Sequence, residues 1–386
     1  MQEKNKYRAL YFTRNLGEFI FYIYLSKYLM NLDYSGTMIG TVLSFSPLFI
    51  VITLPVWGRI ESVISRKHII ILAASMTLIM QYFLIIPTAF PVIVMFTIIY
   101  SFVRAPLYPS IDSMSTLYCI ENNIEFSSVR SWGSLGYLIA VGVGGFLFDR
   151  VHFFWILVVS TFVFFAMFFF TAKIRPLGVD ADKLVSQKKK GATKQILKNP
   201  FYIKFIIAQI LCYTAINVNN GFDILYLTER GAPTYLFGIF TVGRIVFELL
   251  LFRVINKTNF SYKTLFAAVP VLMLVQCVLY FFEAPIEYFF GMIIFNGTAI
   301  GIIIYLNNKY IAQIVSPKNI TRATYITAIV QNLSIAIFLF FAGLIYDNLG
   351  AKYIYMTTGI FFIIGFIFIM LFIKKTGKYT IVKYYD

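Results

Sequence analysis

The chain has 386 residues, 59% of them apolar and only 13% charged, with a formal net charge of +16. A soluble domain is normally about 45–50% apolar and about 25% charged, so a water-soluble globule, a disordered chain, a collagen-like chain and a disulfide-stapled scaffold are all excluded. The basic residues gather in particular loops, which is the signature of a membrane protein and not of a nucleic-acid binder.

Twelve apolar stretches predict spanning helices at 9–30, 36–58, 68–88, 91–118, 128–148, 152–172, 201–227, 234–255, 261–282, 286–314, 321–346 and 351–373. The fold class is therefore all-α and integral to the membrane, with twelve helices in two bundles of six. The start does not read as a cleavable signal peptide, because Arg14 and Glu18 interrupt its apolar run. Lys4, Lys6 and Arg8 precede the first span; Arg59, Arg66 and Lys67 follow the second. The alternate loops hold little beyond Arg150, Arg230 and Lys352. The bias puts both termini in the cytoplasm, in a multi-pass protein of the cytoplasmic membrane.

The longest polar stretch, 173–200, carries Lys183, Lys188, Lys189, Lys190, Lys194 and Lys198. It reads as a cytoplasmic linker resting against anionic lipid and separates a bundle at 1–172 from one at 201–386. Gly145-Phe-Leu-Phe-Asp149 closes the fifth span and Gly343-Leu-Ile-Tyr-Asp347 closes the eleventh. Such an echo at matching places suits paired six-helix repeats, a transporter architecture.

Ionisable residues inside spans are functional candidates because each is costly in hydrocarbon. These are Arg14 and Glu18 in the first span, Arg104 and Asp112 in the fourth, Arg130 in the fifth, and Arg244 and Glu248 in the eighth. Arg14/Glu18 and Arg244/Glu248 are i,i+4, so each pair can close an ion pair on one helix face. Arg104 and Asp112 lie about 12 Å apart along one face of a continuous helix. Arg130 is placed as the partner of Asp112. The seven groups sum to 4 − 3 = +1, a tilt toward a carboxylate-bearing solute. Lys27 and Lys309 read as snorkelling residues near span ends. Cys119, Cys212 and Cys277 lack any pairing or metal-binding spacing, His68 and His152 are far apart, and no cofactor or metal is expected. No ATP-binding or hydrolase motif is present.

The stretches from Gly58 to Lys67 after the second span, from Tyr108 to Asp112 in the fourth and from Glu125 to Tyr137 at the start of the fifth resemble the major facilitator superfamily, and within it the lactose permease-like branch of sugar, nucleoside and phenylpropionate symporters. Gly58-Arg-Ile-Glu-Ser-Val-Ile-Ser-Arg66-Lys67 resembles the superfamily's loop motif with its acid displaced to Glu61; the resemblance implies a conformational latch at Gly58, Glu61, Arg66 and Lys67. Tyr108-Pro-Ser-Ile-Asp112 and Glu125-Phe-Ser-Ser-Val-Arg130-Ser-Trp-Gly133-Ser-Leu-Gly136-Tyr137 are similar to the permease's sugar-binding stretch. By that resemblance Asp112 is the ligand-binding acid, Arg130 its guanidinium partner and Tyr137 the aromatic platform. The permease's coupling His and Glu on the tenth span are replaced by Asn296-Gly-Thr-Ala299, and its charge pair between spans 7 and 11 by Asn217, Asn220 and Gln331.

The sequence thus predicts a monomeric secondary transporter with a central site, working by alternating access on a small polar solute, sugar-like or carboxylate-bearing. Substrate contacts are expected from Asp112, Arg130, Tyr137, Arg104, Arg244, Glu248, Asn217, Asn220, Asn296 and Gln331. Proton symport is the expected energy source, with Asp112, Glu18 or Glu248 as carrier. The alternatives are a drug/proton antiporter of the same superfamily and, from another class, a non-transporting membrane sensor or a membrane-embedded enzyme.

Overall fold

The computed structural model describes residues 2–60, 64–86, 89–175, 192–255, 260–316 and 319–373. The helices in chain order are α1 Glu3–Tyr22, α2 Leu25–Asn31, α3 Gly36–Ile60, α4 Arg66–Leu84, α5 Phe90–Arg104, α6 Leu107–Glu121, α7 Ser127–Phe148, α8 Phe153–Ala172, α9 Ala192–Lys198, α10 Pro200–Glu229, α11 Thr234–Ile255, α12 Tyr262–Phe281, α13 Phe289–Ile314, α14 Ile320–Leu349 and α15 Ala351–Phe372. Among the described residues there is no strand.

Eleven stretches of the described residues are long and apolar enough to cross a membrane. The expected first span is the exception. It forms α1 and α2, broken at Ile23–Tyr24, and α1 carries Glu3, Lys4, Lys6, Arg8, Arg14 and Glu18. Its buried residues Tyr7, Tyr11, Arg14, Glu18 and Phe21 recur at helical spacing, so one face is lodged in protein even though the helix is not apolar.

The expected fourth span is also interrupted. Pro106 has no N–H to give to the carbonyl of Phe102, and the helix breaks between α5 and α6. The indole N–H of Trp57 takes that released carbonyl at 3.0 Å. An apolar surround makes this substitution necessary, because an unmatched backbone group there costs several kcal/mol. Arg104 and Asp112 therefore stand on different helices, not on one continuous face.

By packing, the chain divides into two units. Unit 1 comprises Met1–Tyr34, Thr41–Lys188 and Pro233–Gly238; unit 2 comprises Ser35–Gly40, Lys189–Ala232 and Ile239–Asp386.

In unit 1, α1 packs against α7 and α8, and α4 against α5 and α8. The α1–α7 approach depends on glycine: a Cβ on Gly136 would stand 2.3 Å from the Phe12 carbonyl oxygen. Beside it, Asn15 donates Nδ2–H to the Gly133 carbonyl at 2.8 Å. In unit 2, α12 packs on α13 and α15, and α10 on α14 and α15. Gly297 of α13 plays the matching part against the Arg244 carbonyl of α11.

The echoed motifs serve one purpose twice. Within unit 1, Asp149 accepts the Thr234 N–H at 2.7 Å and also its hydroxyl, capping the start of α11. Within unit 2, Asp347 accepts the N–H groups of Gly36 at 2.5 Å and Thr37 at 2.8 Å, capping the start of α3. A carboxylate satisfies orphan amides and opposes the positive end of the helix dipole at both places.

Candidate functional site

The polar centre of unit 1 is Glu18, fully buried on α1. Arg14 Nη2 lies 2.6 Å from one carboxylate oxygen, and the Nε of Arg104 closes on the other. The expected Arg14/Glu18 pair is present, and Arg14 is buried among protein groups. Arg104 is steadied by the Ser46 hydroxyl at 2.9 Å and by the Tyr22 ring, whose centroid is 4.2 Å from its guanidinium carbon. Lys27 is buried as well, against the Phe148 ring, contrary to its reading as a snorkelling residue. Lys309 is exposed.

One turn before Arg14, Tyr11 donates its hydroxyl to Asp112 Oδ1 at 2.5 Å. Arg130 is exposed and donates Nε–H and Nη2–H to the Tyr108 hydroxyl at 3.2 and 2.8 Å. No ion pair joins Asp112 to Arg130, so the expected direct partnership is replaced by two tyrosines. Tyr108 also takes the Arg14 guanidinium over its ring, at 4.7 Å. A cation over a tyrosine face is worth about 0.5–2 kcal/mol depending on desolvation. Tyr137 lies edge-on to Phe19, with ring centroids 4.7 Å apart.

In unit 2 the centre is Asp223, an acid that is not among the candidates expected from the sequence. It is 3% exposed on α10. Tyr355 and Gln276 donate to its Oδ1 at 2.9 and 3.1 Å, and Arg244 Nη1 lies 3.1 Å from its Oδ2. Arg244 also donates to Asn220 Oδ1 at 2.6 Å and to the Thr241 hydroxyl at 3.1 Å. The expected Arg244/Glu248 ion pair is absent: the arginine turns to Asp223, while Glu248 lies beside Gly301 of α13. Asn296 joins the network by donating to Gln276 Oε1 at 2.8 Å. Asn217 folds back on the Tyr213 carbonyl, and Gln331 donates to Gln209.

Adding Asp223 changes the charge count. Unit 1 has Arg14, Arg104 and Arg130 against Glu18 and Asp112, or 3 − 2 = +1; unit 2 has Arg244 against Asp223 and Glu248, or 1 − 2 = −1. These eight sum to zero, and counting the buried Lys27 of unit 1 as well brings the total to 5 − 4 = +1.

The latch residues lie apart from these centres. Lys67 donates Nζ to the carbonyls of Ala172 at 2.6 Å and Ile174 at 3.0 Å, holding the C-terminal end of α8. Gly58 is in the last turn of α3 and Arg66 opens α4. Glu61 and the lysines at 183, 188, 189 and 190 fall outside the described residues. Among the described residues, no group of His, Cys, Asp or Glu is arranged to hold a metal ion.

The model of the MFS_1 like family matches residues 9–357 of this chain. The chain belongs to that family. It is a major facilitator superfamily transporter and an integral multi-pass membrane protein. It is 24% identical over 390 residues to the uncharacterized transporter YwbF of Bacillus subtilis (strain 168), covering 98% of this chain and 96% of that one. It is 22% identical over 356 residues to a maltose permease of Geobacillus stearothermophilus, covering 88% and 87%. The crystal structure of the nucleoside transporter NupG shares the fold, with a TM-score of 0.80 and 16% identity over 96% of this chain and 98% of that one.

Proposed function

We propose that this transporter moves a small, uncharged, hydroxyl-rich solute, sugar-like or nucleoside-like, by alternating access coupled to proton symport. The observation that carries this reading is the polar surface of unit 1. Among the described residues, exposed Arg130 keeps Nη1 free of any protein partner while Tyr108 orients its other two donors, and Asp112 keeps Oδ2 free while Tyr11 holds Oδ1. An oriented donor beside an oriented acceptor suits hydroxyl groups, which use both. Names among the relatives, a maltose permease and a nucleoside transporter, support the same class.

The protein is a monomer in the cytoplasmic membrane with both termini cytoplasmic, the orientation that the basic loops favour. Protons drive uptake through an acid inside the spans, the candidates being Asp112, Glu18 and Glu248.

Two measurements test the reading. A thermal-shift screen of purified protein should show Tm raised by sugars or nucleosides and not by aromatic carboxylic acids, since a ligand that binds only the folded state stabilises it. Uptake of the hit into proteoliposomes should become concentrative only under an inward proton gradient. Stabilisation by carboxylates alone would overturn the substrate class. Uptake indifferent to the gradient would overturn symport.

A further inference from the structure

Unit 2 places two acids and a single arginine in the interior of α10 and α11. From the residue ranges, Asp223 lies about 9 Å before the end of α10, while Arg244 and Glu248 lie about 15 and 21 Å after the start of α11. The two helices follow one another through a short turn and run back antiparallel, so the arginine stands at an intermediate depth, with one acid about 6 Å to either side along the helix axes. In the structure it has chosen Asp223. Glu248, one helical turn along the same face, has no ion pair or hydrogen bond among the described residues.

A carboxylate left uncompensated at such depth is costly, and a group in that position neutralises by taking a proton. Two acids sharing one fixed cation therefore retain one proton between them. We infer that Asp223, Arg244 and Glu248 form a proton relay in which Arg244 pairs with one acid while the other carries the proton. This rests on the proton-symport reading and names its machinery.

In the state seen here Asp223 is ionised and Glu248 is the neutral carboxyl. When the guanidinium swings one turn to Glu248, the i,i+4 spacing lets it stabilise that carboxylate, and the Glu248 proton leaves to solvent. Asp223, no longer paired, takes a proton at the other depth. One proton enters and one leaves at different depths, and the pair's total is unchanged. Among the described residues, the remaining neighbours supply no second cation. Tyr355, Gln276 and Asn220 surround the upper acid and its arginine, Gly301 of α13 faces the lower one, and Lys309 lies two turns further on and is exposed.

Infrared spectroscopy of the full-length protein in lipid counts protonated carboxyl groups directly, through their carbonyl-stretch band at neutral pH. The relay predicts that Glu248→Gln removes one carboxyl's worth of intensity. Asp223→Asn should remove the same amount, because Arg244 is then free to ionise Glu248. Arg244→Gln should instead add one, since two acids are left without a cation. Glu248→Gln breaks no bond in the structure and is expected to fold; the other two are read only on protein that elutes as a single folded species. A band unchanged in Glu248→Gln overturns the relay. So does a band unchanged in Asp223→Asn, which would mean that the two acids titrate independently. The symport reading fails separately, if concentrative uptake ignores a proton gradient while the band behaves as described.

Discussion

Arg244 gives its guanidinium to Asp223 on α10, across a helix–helix contact, and not to Glu248 one turn along its own helix. The choice organises unit 2. It ties α11 to α10, and through Gln276 and Tyr355 it draws α12 and α15 onto the same carboxylate. Unit 1 solves its equivalent problem differently, by setting two arginines on Glu18.

Removing Glu18 should be among the most damaging single changes to the fold. Glu18→Gln leaves Arg14 and Arg104 buried without their anion, and breaking a buried pair costs about 3–5 kcal/mol. The expected result is little folded protein in the membrane and a large fall in Tm. Pairing it with Arg104→Gln, which removes one of the stranded cations, should restore part of the loss. The check is folded yield by fluorescence-detected size exclusion.

Arg130→Lys should leave folding nearly intact, since the side chain is exposed, yet abolish transport and ligand-induced stabilisation. Lysine keeps the charge but cannot give two donors to one tyrosine hydroxyl while leaving a third free. Tyr108→Phe should weaken binding in the same direction by about tenfold, the loss of about 1.4 kcal/mol. Wild-type uptake by Arg130→Lys would remove unit 1's polar surface from the substrate path.

At Gly136 any side chain meets the α1 backbone, not a movable group. Gly136→Ala should cost about 1–3 kcal/mol by overpacking. The measurement is Tm, compared with Gly291→Ala, where, apart from its own turn of helix, nothing among the described residues lies within 4 Å of the added Cβ and the change should be slight.

Topology has its own test. A cysteine introduced at Lys189 should resist membrane-impermeant maleimide in intact cells and react once the cells are opened. Labelling from outside would reverse the orientation of every helix.

The spans were legible because about twenty apolar residues in a row suit a membrane crossing and little else, and the eighth, expected at 234–255, has those bounds in the structure. The break at Pro106 was not legible in the same way: 91–118 reads as one helix, and proline alone does not mark a break, since Pro47 and Pro55 sit inside unbroken α3 and Pro270 inside unbroken α12. Asp223 is a plainer omission: an acid inside the expected span 201–227 is itself the signal. Partner choice is another matter. Spacing on one helix says which groups can meet, and it paired Arg14 with Glu18 correctly. It says nothing of a group arriving from another helix, which is how Arg104 reaches Glu18 and how Asp223 takes Arg244 from Glu248. The tyrosines between Asp112 and Arg130 were hidden for the same reason, because among 27 tyrosines none stands out before the helices are packed.

The bond from Trp57 to the carbonyl freed by Pro106 also gives the protein an optical label of its own. Trp57 is 4% exposed, whereas Trp132 and Trp155 are 40% and 59% exposed on faces of spanning helices. Brominated acyl chains, which quench only on contact, should extinguish the emission of the two outer indoles and spare the third. What remains is light from a single hydrogen-bonded indole wedged between α3 and α5. Any rearrangement that separates those two helices can then be followed in real time, in native sequence, without a dye or a substitution.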